Sequence, residues 1–319
     1  MTAIIELRDL TKRYGDLLAV DSLNLSIEEG AVFGFIGPNG AGKTTTMRIL
    51  TTLLRPTEGE ARIGGHSVTT EPQAVRRLIG YMPDFFGVYE DMKVWEYLDF
   101  FAACYDVPAA ARPPMIDDLL ALVDLGHKRD AYVETLSRGM KQRLCLARTL
   151  THDPQVLILD EPASGLDPRA RIEMRELLRE LQRMGKTIFF SSHILAEVAD
   201  ICTSLGIIEN GRLVAAGGVA DMMRRLRAHR RVNVRFVPGA AVDLAALAVG
   251  LGGEAGVLAA TAGDESAADT LRLDFDGDDA ALSGLLARLV GRGLPVLSFS
   301  EERDDLEDVF MHLTRGAAD

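Results

Sequence analysis

The chain has 319 residues, 47% of them hydrophobic, which gives length for two domains and ample apolar content for packed cores. Its formal net charge of −12 excludes general nucleic-acid binding, which needs a basic footprint. Three isolated cysteines, Cys104, Cys145 and Cys202, exclude a disulfide framework and a zinc site and fit a reducing cytosol.

Met1 to Glu6 lack the basic and apolar regions of a signal peptide, and no apolar run approaches the ~18 residues of a membrane-spanning helix. The chain is therefore expected to be soluble by itself, so that a membrane role requires a partner. Ile4–Leu10 and Leu23–Ile27 read as strands, with Leu23, Leu25 and Ile27 on one face. Tyr14, between them, is open to two readings: a half-buried aromatic beside a turn, or a ring stacked on a nucleotide base.

Gly37-Pro38-Asn39-Gly40-Ala41-Gly42-Lys43-Thr44 fits the phosphate-loop pattern G-x-x-x-x-G-K-[ST]. The apolar run Ala31–Ile36 before it reads as a buried strand, and Thr45–Leu54 after it as a helix. Glycines let backbone N–H groups turn towards phosphate oxygens, and the helix N-terminus favours an anion. Lys43 suits the β- and γ-phosphates of ATP and the Thr44 hydroxyl suits Mg²⁺, so Gly37 through Thr45 are the candidate nucleotide contacts.

Ala61–His66 reads as a strand running into a turn, with His66 a solvated loop histidine that has no metal-ligand companion. Leu78–Met82 is a further strand, stopped by Pro83-Asp84. Asp91–Tyr105 and Met115–Leu125 carry apolar residues at helical spacing. Their aromatics serve either to pack a helical insert or to meet a partner. Val156–Leu159 suits a parallel strand buried on both faces, and Asp160 and Glu161 follow it at the carboxyl end, where ligands bind such sheets. Asp160 can hold Mg²⁺, and Glu161 can act on a water in line with the γ-phosphate.

Leu136-Ser137-Arg138-Gly139-Met140-Lys141-Gln142-Arg143 is similar to the LSGGQ-type signature of ABC transporter ATPases. Ser164-Gly165-Leu166-Asp167 resembles that family's D-loop, and Ser191-Ser192-His193 its switch-histidine loop. The similarity spans roughly residues 2 to 222, with six motifs in the family's order. It implies an α/β fold: a P-loop NTPase core with an N-terminal antiparallel β-subdomain and a helical insert over about residues 85–153. It also implies head-to-tail dimerisation, each ATP lying between Gly37–Thr44 of one subunit and Ser137 and Gly139 of the other. Those two would donate from the N-terminus of the helix Met140–Thr149. Tyr14 would stack on adenine, Asp167 would border the nucleotide, and His193, after the strand Thr187–Phe190, would hold the γ-phosphate and attacking water.

Two departures stand out from the pattern. Arg138 and Met140 replace the second Gly and the Gln of LSGGQ, with Gln142 two places on. Asp84 occupies the position of a Gln that touches Mg²⁺ and relays to the membrane subunit; Asp still offers oxygen to a metal but adds negative charge and cannot donate from an amide. It is expected to coordinate Mg²⁺ while altering hydrolysis or coupling.

Residues 223–231 read as a linker, Arg224, Arg225, Arg227, Arg230 and Arg231 forming the exposed face of a closing helix and linker. Residues 232–319 read as a small accessory α+β domain. Its strands are Val232–Val237, Leu271–Phe275 and Pro295–Ser300, with one more at Val257–Ala260 in a Gly/Ala-rich stretch. Helices are expected at Val242–Val249, Asp279–Val290 and Leu306–Thr314. The ending from Leu306 to Thr314 resembles the tail of ATPases of ABC-2 type exporters, drug and antibiotic efflux systems among them. The resemblance implies an ATP-hydrolysing subunit that drives an integral membrane permease from its cytoplasmic face, pairing with a second ATPase subunit as a homodimer. A soluble ABC ATPase acting in translation or on DNA is the alternative; against it stand the single phosphate loop and the lack of sustained heptads.

Overall fold

A computed structural model describes residues 3–85, 87, 91–193, 198, 201–219, 222, 230–240, 242–263 and 269–301; the expected helix at Leu306–Thr314 and Arg224, Arg225 and Arg227 lie outside them. From the amino end run β1 (Ala3–Tyr14), β2 (Leu17–Glu28), β3 (Val32–Ile36), α1 (Lys43–Leu50), β4 (Glu58–Ile63), β5 (His66–Ser67), α2 (Pro72–Leu78) and β6 (Ile79–Met82). Next come α3 (Val94–Cys104), α4 (Arg112–Leu122), α5 (Arg138–Thr149), β7 (Val156–Leu159), α6 (Pro168–Arg183), β8 (Thr187–Ser192), β9 (Ser204–Glu209) and β10 (Arg212–Gly218). The chain then divides after Val219 into a second compact unit. That unit holds β11 (Arg230–Phe236), α7 (Leu244–Leu251), β12 (Val257–Ala262), β13 (Thr270–Phe275), α8 (Asp279–Gly291) and β14 (Val296–Glu301).

The first unit has two sheets. One is antiparallel, in the order β2-β1-β4-β5, and strict alternation from Leu23 to Glu28 turns Leu23, Leu25 and Ile27 into its core. The other has the order β10-β9-β3-β8-β7-β6, parallel from β9 to β6, with β10 antiparallel at its edge. Every residue of β3, β7 and β8 is buried, as strands covered on both faces require. Phe189 of β8 stacks on Phe33 of β3. Helices α3, α4 and α5 build a separate core around Val94, Tyr97, Leu98, Ile116, Leu120 and Leu144. This is the expected α/β architecture with its β-subdomain and helical insert.

Several boundaries move. The helix after the loop begins at Lys43 and stops at Leu50, because Thr52 takes φ +62° and the Leu53 and Leu54 amides fold back on Arg48 O. The helix expected from Met115 to Leu125 begins at Arg112 and ends at Leu122, just before Asp124 turns left-handed at φ +54°. Leu78 ends α2 rather than starting a strand.

The second unit is a βαββαβ arrangement in which β12 pairs antiparallel with β13, giving the sheet order β12-β13-β11-β14. Val232, Val234, Phe236, Leu271, Leu273 and Phe275 alternate into its core against Leu285 and Leu289 of α8. Arg230 and Arg231 are not on an exposed linker face: both lie in β11, and the Arg230 guanidinium pairs with Glu301 and Asp279.

Candidate active site

The loop between β3 and α1 is shaped by glycine. Gly42 has φ +107°, and a Cβ there would stand 2.5 Å from Ala19 O; at Gly37 it would stand 2.2 Å from Ile208 O. Both obstacles are backbone, so neither position accepts a side chain. Ala41 is buried, and its carbonyl accepts the Gly211 amide at 3.0 Å, while Pro38, Asn39 and Gly40 are exposed. The Lys43 ammonium is buried under this loop, donating to Gly37 O at 2.6 Å and Pro38 O at 3.1 Å. Burial lowers its pKa, against the opposing pull of Glu161 and Asp160. Thr44, exposed, and Thr45, half-buried, follow on the first turn of α1.

The parallel ladder of β7 and β8 brings the carboxylates to this loop. Asp160 is 1% exposed; its amide donates to Met82 O at 2.8 Å, and its Oδ1 accepts the Ser191 hydroxyl at 2.7 Å. Glu161 sits at φ +49°, a conformation that costs a non-glycine residue on the order of 1 kcal/mol or more. Its amide donates to Ser191 Oγ at 2.9 Å. Its carboxylate spans two partners, Lys43 Nζ at 3.8 Å from Oε1 and His193 Nδ1 at 2.9 Å from Oε2. A carboxylate only accepts, so Nδ1 of His193 carries the proton and Nε2 is left for another group.

Asp84 follows β6, two residues beyond Met82, whose register partner is Leu159 next to Asp160. Partial burial, then Glu161 and Asp160, raise the Asp84 pKa, while Arg138 and His193 oppose this. Ser137 caps α5, its Oγ accepting the Met140 amide at 3.3 Å. The helix therefore starts at Arg138, and Gly139 lies within its first turn rather than before it. Asp167 likewise caps α6, accepting the Ala170 amide at 2.9 Å. Tyr14 is exposed at the end of β1, with the Lys12 ammonium 5.2 Å from its ring centre. It pairs with Leu17, at the start of the strand whose Ala19 abuts Gly42.

The structure thus brings Lys43, Asp160, Glu161 and His193 together and places Asp84 in their field. Three further residues appear in the sequence motifs without a role of their own. Ser191 links the Asp160 carboxylate to the Glu161 backbone amide. Gln142, buried in α5, donates to Pro162 O at 2.6 Å, and Arg138 donates to Ser164 O at 3.2 Å, so the signature helix is tied to the segment after Glu161 within one chain. The available signal for Ser191 was a hydroxyl at the end of the otherwise apolar run Ile188–Phe190.

The sequence profile described as "ABC transporter" matches residues 20–164. Nod factor export ATP-binding protein I of Burkholderia orbicola (strain AU 1054) is 36% identical over 317 residues, covering 98% of this chain and 97% of that protein. The protein of the same name from Ralstonia nicotianae (strain ATCC BAA-1114 / GMI1000) is 34% identical over 313 residues, covering 98% and 94%. A solved ATP binding subunit of an ABC transporter is similar with TM-score 0.64 and 30% identity, covering 70% of this chain and 93% of that one.

Proposed function

This chain belongs to the ATP-binding proteins of ABC transporters, and we propose that it powers export through a separately encoded ABC-2 type integral membrane permease. ATP-binding and ATPase activity come with the family. The proposal adds the exporter role, the permease, a homodimer closed head to tail by ATP, and a location at the cytoplasmic face of the membrane. Two relatives that match nearly the full chain are export ATP-binding proteins, which supports export. Among the described residues no helix is long and apolar enough to cross a membrane, in keeping with a permease supplied by another chain. Residues 1–222 act as the nucleotide-binding domain and 232–319 as an accessory domain.

In this reading Gly37–Thr45 hold the phosphates and Tyr14 stacks on adenine. Ser137 and Gly139 reach the nucleotide of the opposing subunit, whose edge Asp167 borders. Thr44, Asp160 and Asp84 offer only oxygen donors, which fits a hard cation such as Mg²⁺. No cluster of three or more metal-binding side chains occurs among the described residues, so that ion would depend on nucleotide phosphates as well. Bound there, it supplies neutralisation of phosphate charge. Glu161 orients the attacking water and accepts its hydrogen bond, His193 holds the γ-phosphate side of that water through its second nitrogen, and Lys43 draws charge from the terminal phosphates.

The observation that carries the proposal is Glu161 bridged between His193 and Lys43 at the carboxyl ends of parallel strands. Glu161→Gln should stall hydrolysis and leave an ATP-bound dimer, read by size-exclusion chromatography and phosphate release. Near-normal turnover removes Glu161 as the hydrolytic carboxylate, and purification from membranes without an integral protein removes the transport role.

A further inference from the structure

We infer that Ser191 is a positioning residue that sets the two carboxylates against each other, its single hydroxyl holding the Asp160 side chain and the Glu161 backbone at once. The inference rests on the reading of Asp160 and Glu161 given above. The ladder between β7 and β8 ends at the pair Leu159 and Phe190, so Asp160 and Ser191 are the next residues on each strand. There the main chain of Glu161 turns away at φ +49°, and its amide donates to the Ser191 side chain at 2.9 Å. The same hydroxyl donates to Asp160 Oδ1 at 2.7 Å, so both of its hydrogen-bonding roles are used in a residue with 0% exposure.

Each bond fixes a different quantity. The bond to Asp160 chooses which carboxylate oxygen is held inward, leaving the other for a ligand. The bond from the Glu161 amide sustains the left-handed turn that aims the Glu161 carboxylate at Lys43 and His193. An apolar residue of similar size would leave the buried Asp160 oxygen and the Glu161 amide without this partner. Ser191 touches no reacting atom in this scheme; it acts through its two neighbours.

Three variants separate the hydroxyl from its volume: Ser191→Ala removes both bonds, Ser191→Cys keeps the size with a weak hydrogen-bonding group, and Ser191→Thr keeps the hydroxyl. For Ser191→Ala, kcat should fall between about ten- and a hundredfold, since a misplacement of about 1 Å can cost the larger factor. KM and the affinity for a fluorescent ATP analogue without magnesium should change by less than about threefold. Hydrogen exchange of the peptide containing the Glu161 amide, measured on the nucleotide-free protein, should quicken in Ala and Cys and stay slow in Thr. Turnover should rank Thr above Cys and Ala. A ranking of Cys above Thr, or wild-type exchange and turnover in Ala, overturns the inference; should Ala not fold, the Cys and Thr pair decides it. Glu161→Gln run in parallel keeps the two readings apart. Full turnover there sinks the catalytic assignment, whereas a stalled Glu161→Gln beside an active Ser191→Ala sinks only the role of Ser191.

Discussion

His193 Nδ1 lies 2.9 Å from Glu161 Oε2, a contact between residues 32 apart in sequence that meets at the ends of adjacent parallel strands. The contact leaves one imidazole nitrogen and one carboxylate oxygen facing other partners, the arrangement needed to grip a water and a phosphate together. His193→Ala should lower kcat by about 10²-fold or more, the usual share of a positioned acid–base group. Nucleotide affinity should fall only a few-fold, because the phosphate loop does not use His193. Steady-state phosphate release together with titration of a fluorescent nucleotide checks both; full activity refutes the γ-phosphate role.

Lys43 is buried and already donates to two loop carbonyls, so its ammonium is held in the loop before any phosphate is considered. Lys43→Ala should weaken ATP binding by about ten- to a hundredfold, the equivalent of a charge-assisted hydrogen bond of about 1.5–3 kcal/mol. Unchanged affinity would contradict the phosphate-loop assignment. Thermal melting should show a folded protein, since Gly37 and Gly42 rather than Lys43 set the loop's path.

Asp84 is crowded by like charge. Partial burial, with Glu161 and Asp160 behind it, raises its pKa, so the fold works against its ionised form. Asp84→Gln removes that charge and should raise the melting temperature of the nucleotide-free protein at neutral pH. It should also shift the magnesium concentration needed for half-maximal ATPase, because one oxygen donor has become an amide. If melting temperature, magnesium dependence, turnover and coupling to the permease all stay at wild-type values, Asp84 has no special role.

What the sequence discloses follows the physics of each element. The shape of the loop after β3 is legible because Gly37, Gly42 and Lys43 fall within one eight-residue stretch and backbone atoms of Ala19 and Ile208 leave no alternative to the two glycines. The strand Val156–Leu159 is legible because burial on both faces demands an unbroken apolar run. The role of Ser191 is not, since a serine at a strand end looks the same whether it faces water or a carboxylate and a backbone amide. The strands β9 and β10 and the helix α6 also escape notice. Strand β10 is half-exposed and rich in Ala and Gly, and α6 declares itself through its cap at Asp167, residues already claimed by a motif. Arg230 misleads because five arginines in a short stretch suggest a solvated face, whereas Glu301, 71 residues on, supplies its partner.

His152 offers a pH test of the junction between the helical insert and the core. Its ring stacks on Tyr105 with centroids 3.7 Å apart and planes within 5°. Nε2 stands 2.9 Å from Ile79 O, and a carbonyl only accepts, so Nε2 carries the proton and the buried Nδ1 is left without a partner. Burial lowers the His152 pKa below its ordinary value of 6.5; the Ile79 carbonyl and Asp153 pull the other way, and Lys186 adds to the lowering. In the unfolded chain the ring takes a proton near pH 6.5, in the fold only at lower pH. Between these two values the unfolded state binds more protons, so stability is complete above about pH 6.5 and is lost as pH falls, by at most about 1.4 kcal/mol per pH unit. His152→Phe keeps the stack on Tyr105 but cannot titrate. Melting curves from pH 8 to about pH 5 should therefore run parallel for the two proteins above pH 7, and the wild type should fall more steeply below it. Equal slopes across the whole range would show that protonation of His152 does not strain this junction.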